Sequence, residues 1–453
     1  MIERAVFCVG VAALAFLAGI YVGWNKLPPA TMFNAGKDAA VDLWENWESY
    51  ASVSPVKFLN PSRYPGTGVV VNEERAVQPG VTMMTGLWDA EAGITLRTLD
   101  GRELHRWYAP FTTIWPDTPH LATENTPFND WDTRIHGALL YRNGDVVFNF
   151  DEFGLVRLDR CSRIVWRLAK QTHHSITAAD DGHLWIPNIK QVHDVSDERF
   201  PGMTPPFRED SILEVSPDDG RVLREISLLE SFYASTYEGA LLAGGAPGLA
   251  RSIDPDPLHT NNVETLPAAM AGAFPLFQAG DILVSMRNLN MLAVLDKTTG
   301  LIKWSKTGPW VRQHAGHFLP NGQIALLDNR LAKNVPPWAP NKPAAASRIV
   351  TVDPLTGHLS VLFEGSEDQP FFTYRMGKLQ VLPNGNILVT EPEPGRAFEI
   401  TPDRKVVWSF INRFDEARVA GIEQAIRYPA EYAAFAAEPC PADTVVGAPA
   451  PNR

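Results

Sequence analysis

Three histidines in this chain stand eight residues before a glycine that closes a tight turn. They are His136 before Gly144, His174 before Gly182 and His314 before Gly322. The last belongs to the stretch Gln313-His314-Ala315-Gly316-His317-Phe318-Leu319-Pro320-Asn321-Gly322, followed by the apolar run Ile324 to Leu327. Imidazole titrates near neutrality and serves as a nucleophile, a proton carrier or a metal ligand. A single histidine of this kind is as often a loop residue bonded to backbone. Several at one register are read differently: if the spacing marks a repeated unit, they converge, and converging titratable groups point to metal binding or group transfer. A metal would need three or four ligands on one point, each with an outer partner. No Asp or Glu shares the register of the histidines, so no metal and no cofactor is expected. His259 precedes a fourth unit, displaced by the insertion Glu264–Phe274. Tyr374 and Arg375 flank the matching position, Gly377, in a sixth.

The elements that must carry these residues are short strands. One unit reads Gly280-Asp-Ile-Leu-Val-Ser-Met-Arg287, Asn290 to Asp296, Thr299-Gly300, then Leu301-Ile-Lys-Trp304. A second runs from Gly385 to Trp408 and a third from Gly144 to Trp166. Each is strand, strand, turn, strand, with Trp near the end. Six copies are counted, at 68–110, 136–168, 174–228, 259–304, 314–363 and 377–410. A four-stranded meander cannot bury both faces alone, and radial stacking solves this. The predicted fold is all-β, a six-bladed β-propeller, whose innermost strands line a central channel. The insertions Gln191–Arg208, Ser231–Asp256 and Leu331–Ala346, rich in Pro, Gly and Ala, are expected as loops on one face.

The 453 residues include 37 Pro, 33 Gly and 13 Trp, which suits many turns and a repeated large core residue. The formal charge is −12 with no long basic run, which argues against a nucleic-acid partner. An anionic substrate would need local Arg, Lys and His to draw it in against that field. Ala5 to Trp24 is an uncharged apolar run long enough to span a bilayer. It is read as an uncleaved N-terminal transmembrane helix, with the body on the periplasmic or extracytoplasmic side. The expected order is an anchor at 1–26, a connector with a short helix at 27–66, the propeller at 67–430 and a tail at 431–453. Trp44 and Trp47 share one face of the connector helix, placed at Lys37 to Ser52. Of three cysteines, Cys8 lies in the anchor. Cys161 and Cys440 would pair if the tail folds back, but nothing in their spacing favours a bridge, and both are expected free.

With the blades in place, three phrases in order, Leu258-His259-Thr260-Asn261, Ser285-Met286-Arg287 and Gln313-His314, resemble the bacterial arylsulfate sulfotransferases. The likeness runs over about residues 68 to 430 and includes Arg427-Tyr428-Pro429. It implies a transferase that needs no nucleotide sulfate donor (PAPS-independent). A channel histidine takes a sulfuryl group from an aryl sulfate, becomes a sulfohistidine and passes the group to a phenolic acceptor. Carried over, the resemblance makes His314 the nucleophile. His259, Asn261 and Arg287 hold the sulfuryl oxygens, and His174, or its neighbour His173, is the further channel histidine. Another histidine would exchange the proton with the phenol. The chain departs from the family's pattern in having no cysteine pair near the nucleophile and no N-terminal β-domain. His136 lies outside the pattern; it, His173, Tyr374 and Arg375 are candidate substrate contacts. Two other functions fit a propeller. One is a non-catalytic body that binds a partner or ligand through its insertion loops. The other is a quinoprotein-like oxidoreductase, suggested by Asp296-x-x-Thr299-Gly300-x-x-x-Trp304, a phrase that closes blades rather than doing chemistry.

Overall fold

The computed structural model describes residues 14–23, 28–122, 125–194, 198–243, 255–330 and 346–440, in two units, 1–57 and 58–453. In the first, a helix spans Pro28–Tyr50, well beyond the short segment expected, with Trp44 and Trp47 exposed. Residues 14–23 are helical. Among the described residues no helix is long and apolar enough to cross a membrane. The expected transmembrane helix is therefore not borne out, and residues 1–13 and Trp24 lie outside the described residues.

The second unit is a ring of six sheets. With the blades numbered in chain order, blade 4, from Thr260–Thr265 to Ile302–Thr307, shows why these segments form blades. Its second and third strands, Ile282–Met286 and Met291–Leu295, are buried at every position. Each is covered by a blade on either side, so each reads as a near-continuous apolar run, interrupted only by Ser285. Its outer strand, Ile302–Thr307, lies at the rim and is mixed in character. Leu283, Leu292 and Val294 of blade 4 pack with Phe318, Ile324, Leu326 and Val350 of blade 5.

The repeated Trp ties blade to blade. Each indole N–H donates to a carbonyl in the next blade's turn: Trp107 to Gly144 (2.9 Å), Trp166 to Pro217 (2.9 Å), Trp304 to Pro354 (3.0 Å) and Trp408 to Leu99 (2.9 Å). In blade 3, which lacks the Trp, Arg224 bonds the carbonyls of Lys297 and Thr298 in blade 4. The Asp296 carboxylate accepts from the N–H groups of Thr298 and Thr299. The phrase shared with quinoproteins is thus a blade-closing turn.

The copy expected at 68–110 is assembled differently. Gly68–Asn72 is the outermost strand of blade 6, paired with Val406–Ile411. The innermost strand of blade 1 comes from the far end of the chain, Ile422–Tyr428 paired with Val81–Trp88. Both ends therefore close the ring. Arg427 seals that junction: it is 4% exposed and pairs with Glu399 of blade 6 at 3.1 Å. Beyond it, Ala430–Ala437 folds back so that Phe435 meets Trp107, and Cys440 is disulfide-bonded to Cys161. The two thiols are not free. The fold brings together residues 279 positions apart, which spacing alone does not reveal.

Of the three insertions, 331–345, 244–254 and 195–197 lie outside the described residues. Both ends of the insertion Gln191–Arg208 extend blade 3, whose strands Leu184–Val192 and Phe207–Val215 pair over nine residues.

Candidate active site

The innermost strands do not run evenly. Pairing shifts between Ile422 and Gln424 in blade 1, Ile135 and Gly137 in blade 2, Thr260 and Asn262 in blade 4, and His314 and His317 in blade 5. In blade 3 the strand is broken outright: Gln171–Thr172 and Thr177–Ala178 both pair with Leu184–Val192, and His173 and His174 fill the gap. A bulge re-aims the residue it displaces. The skipped residues are Glu423, His136 and Asn261, with Ala315 and Gly316 following His314. His174, His259, Arg312, Ala315 and Met376 hold positive φ, between 50° and 62°. Such backbone costs of order 1–3 kcal/mol per residue and persists only where its surroundings impose it.

These irregularities bring the predicted histidines together. The His174 ring lies 4.1 Å from His136, 4.9 Å from His173, 5.7 Å from His259 and 6.1 Å from His314, centroid to centroid. It stacks on the His314 ring at an angle of 28°. Five Nδ1 atoms are engaged in four contacts: His136 with Asp151 (2.9 Å), His259 with Asp256 (2.6 Å), His174 with His173 Nδ1 (2.7 Å) and His314 with Asn329 Oδ1 (2.7 Å). Carboxylates do accompany the histidines, but from other strands and loops, so a search at the histidine register misses them.

His314 is 2% exposed. Its Nδ1 also lies 3.0 Å from the Arg312 carbonyl. The Asn329 amide nitrogen donates to the carbonyls of Thr373 and Met376, at 3.0 and 2.8 Å, which turns Oδ1 toward the imidazole. Both neighbours of Nδ1 are acceptors, so Nδ1 carries the proton and Nε2 is left with its lone pair. Nε2 is buried without a hydrogen-bond partner among the described residues. Burial, then the charge of Arg287, holds the His314 pKa well below the ordinary histidine value, although the Asn329 bond opposes this. The ring is neutral at pH 7.

Arg287 presents its fork to the same space. Its Nε donates to Asn288 at 3.2 Å, and its terminal nitrogens make no hydrogen bond or ion pair among the described residues. Burial and then Arg312 lower its pKa, with Arg208 and Arg375 adding to the effect. One Asn261 amide hydrogen goes to the Gln313 carbonyl at 2.7 Å, and the other has no partner among the described residues. Gln313 is wholly buried, and its amide donates to Ser285 Oγ and the Met291 carbonyl. The Gln of Gln-His and the Ser of Ser-x-Arg therefore lock blade 5 onto blade 4 and do no chemistry themselves.

His173 and His174 are poor proton donors. Burial, and then Arg208, hold His173 down to about 3. Burial, and then His136, hold His174 well below its ordinary value. Tyr374 and Arg375 stand at the rim, with Tyr374 43% exposed and Arg375 3.6 Å from Glu393; the Tyr374 hydroxyl accepts from Arg312 at 3.1 Å. The blade 6 residue that acts on the histidine cluster is Lys378, one position past Gly377, 8% exposed and electrostatically coupled to His174, Asp151 and Glu423. Sequence reasoning misses it because the register is read for histidine. Asp210 is missed as well. It is fully buried, accepts from the Thr260 N–H at 2.9 Å, and is pushed up to about 6 by burial and then Asp256.

His136, His174 and Asp151 bring ligand atoms within 4.8 Å of one another, near enough for a metal ion. However, His136 Nδ1 is spent on Asp151, and Arg134 and Lys378 both act on that carboxylate. No metal role is assigned. On a chain of net charge −12, the site gathers Arg134, Arg208, Arg287, Arg312, Arg375 and Lys378, the local field an anionic substrate requires.

With the site described, comparison with known proteins is informative. The family model for arylsulfotransferases (ASST) matches residues 137–413, more than half of the chain. The chain belongs to the arylsulfotransferase family. The matched span begins just after His136 and includes the other candidate site residues. No curated protein matches the chain. Among solved structures, a protein of unknown function from Bacteroides caccae is 13% identical, covering 74% of this chain and 94% of its own, with a TM-score of 0.44. A catalytically inactive virginiamycin B lyase from Staphylococcus aureus, solved with quinupristin, is 11% identical over 62% and 71%, with a TM-score of 0.35. These likenesses are remote, and the blade count rests on the sheet pairing of this family member itself.

Proposed function

We propose that this arylsulfotransferase-family protein moves a sulfuryl group from an aryl sulfate to a phenolic acceptor through a sulfohistidine on Nε2 of His314, with no nucleotide sulfate donor. The observation that carries this reading is the His314 imidazole: neutral, buried, fixed in one tautomer and with its lone pair beside Arg287. Nε2 attacks sulfur, the N–S bond forms, and the S–O bond to the aryl group breaks with its electron pair on the aryl oxygen. Charge spread over the sulfuryl oxygens is met by Arg287, the free Asn261 N–H and His259, whose ring Asp256 orients. Donors already in place cost no reorganisation when charge develops. A phenol then takes the group in the reverse sense. The Cys161–Cys440 bridge supports an oxidising compartment and, with the apolar run at residues 5–24, a membrane-anchored protein whose body is periplasmic or extracytoplasmic. Initial rates measured while donor and acceptor are both varied should give parallel double-reciprocal lines. Intersecting lines would mean direct transfer without a covalent intermediate.

A further inference from the structure

Lys378 opens the innermost strand of blade 6, paired across to Thr390. It is a buried ammonium that makes no side-chain hydrogen bond and no ion pair among the described residues. Such a group is costly unless something charged comes to it. Its neighbours are in the site. Asp151 of blade 2 and Glu423 of blade 1 act on it electrostatically, yet neither forms a contact ion pair with it. Arg134 faces the same two carboxylates, and Lys378 in turn acts on His174, the ring stacked on His314. On its own chain, Met376, two residues earlier, gives its carbonyl to Asn329, which holds His314. Lys378 thus lies two residues from the backbone carbonyl that helps position the nucleophile.

The reaction proposed above has a missing part. An aryl oxygen that leaves with an electron pair is a phenolate, and an unactivated phenol is about as weak an acid as tyrosine, near 10. His314 is the nucleophile, and His259 faces the sulfuryl oxygens. His173 and His174 are held neutral by burial, and His136 is engaged with Asp151. We propose that Lys378 is the catalytic acid and base of the transfer: its ammonium protonates the departing aryl oxygen, and the resulting amine removes the proton of the acceptor phenol. The balance closes over the cycle. The first half-reaction converts ammonium to amine and phenolate to phenol; the second returns the proton as the acceptor oxygen bonds to sulfur. Burial lowers the Lys378 pKa to about 8 while Asp151 and Glu423 oppose this. That places it close to working pH, where an acid that must also act as a base is most effective.

This inference rests on the sulfotransferase reading, and the test separates the two. Sulfuryl uptake by the full chain is followed in single turnovers with 4-nitrophenyl sulfate, whose phenolate needs no proton, and with phenyl sulfate, whose phenolate does. Lys378→Met and Lys378→Arg are compared with wild type. Arg keeps the charge but cannot release a proton at any working pH. Whatever each variant loses on 4-nitrophenyl sulfate through the missing or altered charge, both should lose about 10²-fold or more beyond that on phenyl sulfate. The wild-type rate on phenyl sulfate should also fall above about pH 8. Equal losses on both donors would show that Lys378 only supports the fold. Recovery of phenyl sulfate turnover by Arg would show that its charge alone matters. Either result overturns the proposal. If wild type takes up sulfuryl from neither donor, the transferase reading itself fails.

Discussion

Replacing Arg287 separates a catalytic side chain from a structural one, because its two effects should have opposite signs. Its terminal nitrogens bond nothing in the described protein, while Arg312, Arg208 and Arg375 repel it and burial disfavours its charge. Arg287→Met therefore removes a cation that burial and Arg312 disfavour more than Asp256 favours it, and whose one hydrogen bond among the described residues is the Nε contact with Asn288. The melting temperature should hold or rise. In the transition state the same fork faces the charged sulfuryl oxygens, and removing one such preorganised donor costs about 3–4 kcal/mol, or 10²–10³ in rate. Arg287→Lys keeps a point charge but loses the bidentate geometry and should fall between the two. The assay is single-turnover release of 4-nitrophenol at pH 7.5, with melting by calorimetry on the same samples. A melting temperature that drops along with the rate would refute the reasoning, since it would make Arg287 part of the scaffold.

The neutral histidines predict how the protein responds to acid. A histidine whose folded pKa lies below its unfolded value of about 6.5 takes up its proton first in the unfolded chain. Stability is thus complete above 6.5 and is lost as pH falls toward about 3, the value for His173. Sulfuryl uptake should show no acid limb at 6.5, because His314 is already neutral there; a limb at 6.5 would contradict the assignment. Asp210 behaves in the opposite way. Its charged form is disfavoured in the fold, so stability falls as pH rises from about 4 through about 6. Asp210→Asn should gain up to about 3 kcal/mol at pH 7.5 and nothing at pH 4, read as a melting shift at the two pH values. Reducing the Cys161–Cys440 bridge should cost about 2–4 kcal/mol and show as a lower melting temperature in dithiothreitol that Cys161→Ser no longer shows.

Much of this was legible because a propeller repeats. The spacing from His136, His174 and His314 to their turn glycines survives since each blade reuses one frame, and apolar runs such as Ile282–Met286 mark strands buried on both faces. What escaped the sequence depends on contacts between distant residues. Gly68–Asn72 reads as the start of a blade, but it closes the last one, because the ring can seal only with strands from both ends. Cys161 and Cys440 are joined by the same closure. Asp151, Asp256 and Asn329 stand behind the histidines, where spacing along one strand cannot show them. Lys378 sits one residue from the expected register, on an innermost strand that pairs regularly where those of its neighbours bulge. The bulges at His136, Asn261 and His314 are invisible in the pattern, yet they aim the side chains.

The central claim concerns one atom, Nε2 of His314. Mixing the protein with 4-nitrophenyl sulfate in the absence of any acceptor and recording the intact mass, followed by peptide fragmentation, tests it most directly. The account predicts a gain of one sulfuryl group, located on His314, lost on addition of a phenol and absent from His314→Ala. A protein that releases 4-nitrophenol without gaining mass, or one labelled equally in His314→Ala, would contradict it.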